Sequence, residues 1–150
     1  MGEKEFKKIL FPVDLSESSK KLVPYVQAVA EKFNSKIHLF FAARVFDYFT
    51  SIYVPHPSIN QFEKEIIEGA EKRLYEFVDE HFSEFPGTKT AVVAGDAAEK
   101  IIEYIGDQHI DLVIMGTHGR KGMDKIIFGS VAERVVKTSP VPVMVVNPFK

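Results

Sequence analysis

The sequence predicts a doubly wound α/β domain, and three observations carry that expectation. Five short runs rich in Val, Ile, Leu and Phe recur along the chain: Lys8 to Val13, Lys36 to Ala42, Lys89 to Ala94, Asp111 to Met115 and Val141 to Val146. Their nearly continuous apolar character is that of strands covered on both faces. Segments with helical spacing separate them, and strand alternating with helix calls for a parallel sheet, because right-handed crossovers place helices on both of its faces. The 150 residues suit one domain, residues 1–150, in which a core can cover roughly two-thirds of the unfolded surface.

The first helix follows the first strand. Ser16 can cap it, but Pro24 falls well inside it, at an interior cost of ~3 kcal/mol, which predicts a kink or a late start. After the second strand, Arg44 to Ser58 (RVFDYFTSIYVPHPS) has no helical period, is rich in aromatics and is closed by prolines. A loop of this length is usually functional or mobile, and Phe46, Tyr48, Phe49, Ile52 and Tyr53 can fold back as a hydrophobic cover, form a subunit contact or act as a ligand lid. The clearest helix runs from Ile59 to Phe85, where Phe62, Ile66, Ala70, Leu74, Phe77, Val78 and Phe82 recur at intervals of three and four. Ala97, Ile101, Ile102 and Ile105 mark the third helix. Val131, Val135 and Val136 mark the fourth, ended by TSPVP, whose prolines cannot continue it.

Composition excludes several functions. With 45% hydrophobic and 27% charged residues, 19 basic against 21 acidic and a net charge of -2, the chain has no global pull toward nucleic acid or an anionic membrane. It contains no cysteine, which removes disulfides, thiolate metal sites and cysteine nucleophiles. The charged start MGEKEFKK has no apolar signal core, and no apolar stretch approaches the ~20 residues of a membrane span. A cytoplasmic protein is expected. None of the five histidines, His38, His56, His81, His109 and His118, has a partner at metal-ligand spacing, and GTHGR stands in place of any G-x-S-x-G nucleophile elbow. No catalytic residue emerges. Asp124 lies near the glycine loop, but nothing marks it as a magnesium ligand.

Binding chemistry concentrates in Met115 to Ser130, MGTHGRKGMDKIIFGS. In open α/β sheets ligands bind outside the carboxyl ends of the strands. Gly116 and Gly119 follow the fourth strand at once, and residues without Cβ let backbone N–H groups converge on an anion. Gly129 comes directly before Ser130 at the start of the fourth helix, whose free amides and positive dipole end suit phosphate. Arg120, Lys121 and Lys125 can neutralise outer phosphates, and His118 can touch phosphate or ribose or point to solvent. A Walker loop is excluded because no Gly-Lys-Ser/Thr occurs, and a Rossmann fingerprint because the glycine spacing is wrong and the loop follows the fourth strand, not the first. Asp14 ends the first strand, and with a strand order of 3-2-1-4-5 it faces the Gly116 loop across the switch point. There it can accept from a ribose hydroxyl or a base amine, or play an N-cap-like role at the following helix.

Gly116-x-x-Gly119, nine residues, then Gly129-Ser130 resembles the G-x2-G-x9-G-[ST] nucleotide motif of the universal stress protein family. KKILFPVDLSESS, GDAAEKIIEYI, DLVIMGTHGR and GSVAERVVKTSPVPVMVV extend the resemblance over nearly the whole chain. It implies the family's ATP-binding branch, a sheet order of 3-2-1-4-5, an adenine nucleotide (ATP, AMP or ADP, with Mg as a companion of ATP) across the carboxyl edge, and a homodimer joined through the last strand, Val141 to Val146. Carried over by motif, Pro12, Val13 and Asp14 line the adenosine side, and the backbone near Ala42 reads the adenine edge. Met115, Gly116, His118, Gly119, Gly129, Ser130 and Val131 then hold ribose and phosphates. Family members often carry a His-Val pair at the end of strand 2; Phe41-Ala42 stands there in this chain, which keeps backbone hydrogen bonding but alters the packing under adenine. The implied role is a regulatory stress-response module read by a protein partner. The alternatives are slow ATP hydrolysis and a dimeric interaction module without nucleotide. Dimerisation has its own physical support, since VPVMVV reads as an apolar edge strand liable to pair, unless NPFK folds over to cover it.

Overall fold

The computed structural model describes residues 5–44, 56–117 and 129–149. Strands and helices alternate as β1 (Lys8–Pro12), α1 (Glu17–Phe33), β2 (Lys36–Ala43), α2 (His56–His81), β3 (Lys89–Ala94), α3 (Ala97–Gln108), β4 (Leu112–Gly116), α4 (Ser130–Thr138) and β5 (Val143–Val146). All strand pairs are parallel and their order is β3-β2-β1-β4-β5, as the family resemblance implies.

Alternate residues of each strand serve the two faces of this sheet. Ile9 and Phe11 of β1 join Leu22, Val26, Leu74 and Phe77 in a core beneath α1 and α2. Leu10, Val113 and Met115 pack on the other face against Ala98, Ile101, Ala132 and Val135 of α3 and α4. Each fully buried Leu, Ile or Phe contributes about 1.5–3 kcal/mol, so this two-sided burial, more than helix propensity, keeps the elements in place. Phe11 meets Phe77 and Phe82 edge-on at 6.2 Å in both cases, pinning the end of α2 to the central strand.

Of the two alternatives at Pro24 the late start is set aside, and the bounds of α2 are corrected. Helix α1 has no late start: it begins at Glu17 behind the Ser16 cap and runs past Pro24 to Phe33. Pro24 lies on the exposed side, while Leu22, Val23, Val26 and Ala30 are buried on the other, so core packing offsets the lost backbone bond. Helix α2 begins at His56, inside the segment expected to be loop, and ends at His81, before Phe85. Pro57 is tolerated because amides in a helix's first turn have no intrahelical acceptor to lose. Beyond His81, Phe85 donates its amide to the Phe82 carbonyl at 2.9 Å and the chain turns through Gly87 into β3. Phe46, Tyr48, Phe49, Ile52 and Tyr53 lie outside the described residues. Among the described residues, no helix is long and apolar enough to cross a membrane.

Candidate functional site

The carboxyl ends of β1 and β4 lie side by side at the switch point, with Leu10 level with Val113. Two strand-to-helix turns meet there and are built differently.

In the first turn, Val13 is still tied to the sheet, its amide donating to the Phe40 carbonyl at 2.8 Å. Asp14 then folds its carboxylate back onto α1. Its Oδ1 accepts from the Ser16 amide at 3.0 Å, the Ser16 hydroxyl at 2.6 Å and the Ser19 hydroxyl at 2.8 Å. The Ser19 hydroxyl also accepts from the Asp14 amide at 3.1 Å. The helix cap itself is Ser16, whose side chain accepts from the Ser18 amide. Leu15 sits between them at φ 64, a left-handed conformation rare for a residue with a Cβ, and Arg73 of α2 donates to its carbonyl at 3.0 Å.

The second turn opens at Gly116, which pairs with Val146 of β5. The Thr117 amide donates to the Val146 carbonyl at 2.9 Å, and the Thr117 carbonyl accepts from the Gly129 amide at 2.7 Å. That last bond closes the glycine loop at its base and sets the start of α4 against the end of β4. It also explains Gly129: a Cβ there would lie 3.1 Å from the Thr117 oxygen. The Gly129 amide is therefore already engaged. The amides of Ser130, Val131 and Ala132 are those that the first turn of α4 leaves without an intrahelical acceptor. Gly129 is the N-cap and makes no side-chain cap bond. Helices α1 and α3, by contrast, are capped by Ser16 and Asp96.

The expected site residues thus fall into three groups. Asp14, Gly116, Gly129 and the exposed Ser130 stand at the two turns. Pro12, Val13, Ala42, Met115 and Val131 lie at or next to the strand ends and the start of α4, with Val13 buried on the α1/α2 face, Met115 buried on the other, and Ala42 and Val131 half-buried against the α3/α4 core. His118, Gly119, Arg120, Lys121, Asp124 and Lys125 lie outside the described residues. Ser19, Leu15, Arg73 and Thr117 were not read from the sequence. Ser19 follows Asp14 at a spacing that places it on α1's first turn, a legible signal; Arg73, 58 residues from Leu15, gives none.

Elsewhere, the side chain of Asp96 joins α3 to α4 through Arg134 at 2.9 Å, and that hydrogen bond, with a second from the Glu99 amide, holds its carboxyl below the usual range. His38 is buried at the amino half of β2, with Nδ1 2.7 Å from the Tyr104 hydroxyl. Burial first, then the charges of Lys89 and Lys8, lower its pKa to about 4, so it is a neutral structural group at neutral pH. No group of three or more His, Asp or Glu that could hold a metal ion occurs among the described residues.

The model of the universal stress protein family matches residues 5–147. Universal stress protein MJ0531 of Methanocaldococcus jannaschii is 31% identical across 97% of this chain and 85% of its own length. The solved structure of MJ0577, a universal stress protein of the same organism, superposes with a TM-score of 0.83 at 26% identity, covering 96% of this chain and 97% of that one. A universal stress protein solved in complex with cAMP shares the fold at a TM-score of 0.60 and 21% identity, over 97% of this chain and 99% of that one.

Proposed function

Because the chain belongs to the universal stress protein family, we propose that it binds an adenine nucleotide, ATP, ADP or AMP, across the carboxyl edge of β1 and β4. In this reading it acts as a regulatory module in the cytoplasm. The observation that carries this reading is the uncapped start of α4, fixed against the end of β4 by the Gly129–Thr117 bond. These residues belong to the G-x2-G-x9-G-S pattern. First-turn amides and the positive end of a helix dipole suit phosphate, and the Ser130 hydroxyl adds a donor. Asp14, in the turn after the neighbouring strand β1, supplies an acceptor for the nucleoside. A protein of the same fold has been solved with cAMP, so an adenine nucleotide can be accommodated by this architecture. His118, Gly119 and Arg120 complete the proposed phosphate contacts, with Mg as the companion of a bound triphosphate.

A homodimer through β5 is part of the same proposal. Strand β5 pairs with β4 on one side only among the described strands. An apolar groove lined by Phe6, Val29, Phe33, Pro142 and Met144 runs beside it. The tail after β5 turns toward α1, where Lys21 Nζ stands 5.0 Å from the Phe149 ring. An unpaired edge next to apolar surface favours a second strand. Sedimentation as a monomer at working concentration would remove the dimer from the proposal.

Mass analysis of small molecules released from protein purified without added nucleotide tests the central reading. Close to one adenine nucleotide per chain is expected. Finding none, together with no thermal shift on addition of ATP, would favour a pure interaction module.

A further inference from the structure

We propose that Ser19 and Arg73 are positioning residues for ligand recognition. They hold the β1–α1 turn so that Oδ2 of Asp14 is the oxygen left for a donor on the nucleoside. This rests on the nucleotide reading of the same sheet edge.

A carboxylate oxygen has about two lone-pair sites, and three donors already converge on Oδ1, from the Ser16 amide, the Ser16 hydroxyl and the Ser19 hydroxyl. Oδ1 is saturated, and turning the carboxylate would break all three bonds together. Oδ2 makes no hydrogen bond to a described residue. Ser19 holds both ends of Asp14, since its hydroxyl donates to Oδ1 and accepts from the Asp14 amide. At 6% exposure it is shielded from water that could replace it, so losing the hydroxyl leaves the Asp14 amide without its acceptor and removes one of the three donors that fix Oδ1.

The turn also has to stay in an unfavourable shape. Leu15 at φ 64 persists because its surroundings over-determine it. One of those surroundings is Arg73, which crosses from α2 to hold the Leu15 carbonyl at 3.0 Å. Arg73 is exposed, so its removal releases the turn without opening the core. The donor that Oδ2 would meet is an O–H or N–H of the nucleoside: a ribose hydroxyl or the exocyclic amine of adenine.

Titration calorimetry of the full chain with ATP, 2′-deoxy-ATP, 3′-deoxy-ATP and ITP distinguishes these donors, because each analogue lacks one of them. In the wild type, the analogue lacking the relevant donor binds more weakly than ATP. Ser19→Ala is expected to weaken ATP about tenfold, the scale of one lost hydrogen bond to a charged group, while that analogue keeps near-wild-type affinity. The preference collapses. Arg73→Met does the same to a smaller extent with an unchanged circular dichroism spectrum, and Ser19→Thr restores the preference. Equal weakening of ATP and every analogue, or variants that bind as the wild type does, would overturn the positioning role alone. A wild type that binds none of these nucleotides overturns the reading on which it rests.

Discussion

The β1–α1 turn and the β4–α4 turn occupy equivalent places at one sheet edge, yet they treat their backbone groups in opposite ways. The first satisfies itself: Ser16 caps α1, and Asp14, Ser19 and Arg73 supply partners for the bent chain around Leu15. In the second, glycine stands at the N-cap and no side chain of a described residue closes the helix. A helix start is available to a ligand where the sequence withholds the Ser, Thr, Asp or Asn that would otherwise fill it. The same edge therefore has a preset acceptor on one side and helix-start amides on the other, the two features on which the proposed nucleotide binding rests.

The largest effect should come from breaking the open turn. Gly129→Val places a side chain 3.1 Å or less from the Thr117 carbonyl, at a φ of -65 that valine itself tolerates. The crowding, not the dihedral, has to be relieved by a shift of the Thr117 carbonyl against the start of α4. Binding of ATP by calorimetry should fall by at least about a hundredfold, equivalent to ~3 kcal/mol. Retained affinity would show that the two segments need not meet.

Acid unfolding is next, and it separates the edge from the body of the fold. His38 has a folded pKa of about 4 against an ordinary 6.5. Its neutral form is favoured by folding, so the unfolded chain binds the extra proton between those values. This stability is complete above pH 6.5 and is lost as pH falls through that window toward 4, by up to about 3 kcal/mol. Chemical denaturation across this range should show the slope, and His38→Gln should flatten it. An unchanged slope would mean that other groups cause it.

The caps sharpen the comparison directly. Ser16→Ala should cost about 1 kcal/mol of stability without any ligand. Ser130→Ala, exposed and with no cap bond to lose, should leave apo stability within about 0.5 kcal/mol and weaken nucleotide binding. Equal losses of apo stability from the two substitutions would erase the contrast. The smallest effect is expected from Arg134→Ala. Its ion pair with Asp96 is solvent-screened, so the melting temperature should barely move, and that small shift should vanish in high salt.

Much of this was readable in the residues. The apolar runs gave all five strands to within two residues at either end, because strands buried on both faces carry no polar alternation to blur them. Boundaries failed where tertiary packing overrode propensity: core burial carried α1 past Pro24, and first-turn geometry let α2 begin in a proline-rich stretch. For the site, the glycine spacing pointed to Gly116, Gly129 and Ser130. It did not reveal that Gly129 spends its amide on Thr117, since that bond exists once β4 and α4 are apposed. Asp14 was visible; its engagement by Ser19 was not, although both lie in one short segment.

By itself, then, the order of residues determined the alternation of strands and helices, the family and the glycine pattern, because these depend on local periodicity and on spacing along the chain. The tertiary structure alone decided which oxygen of Asp14 is left over, why a Cβ at position 129 would crowd the Thr117 carbonyl, and that Arg73 stabilises a turn 58 residues away. Such features depend on distances between segments that the chain brings together only after the sheet has formed.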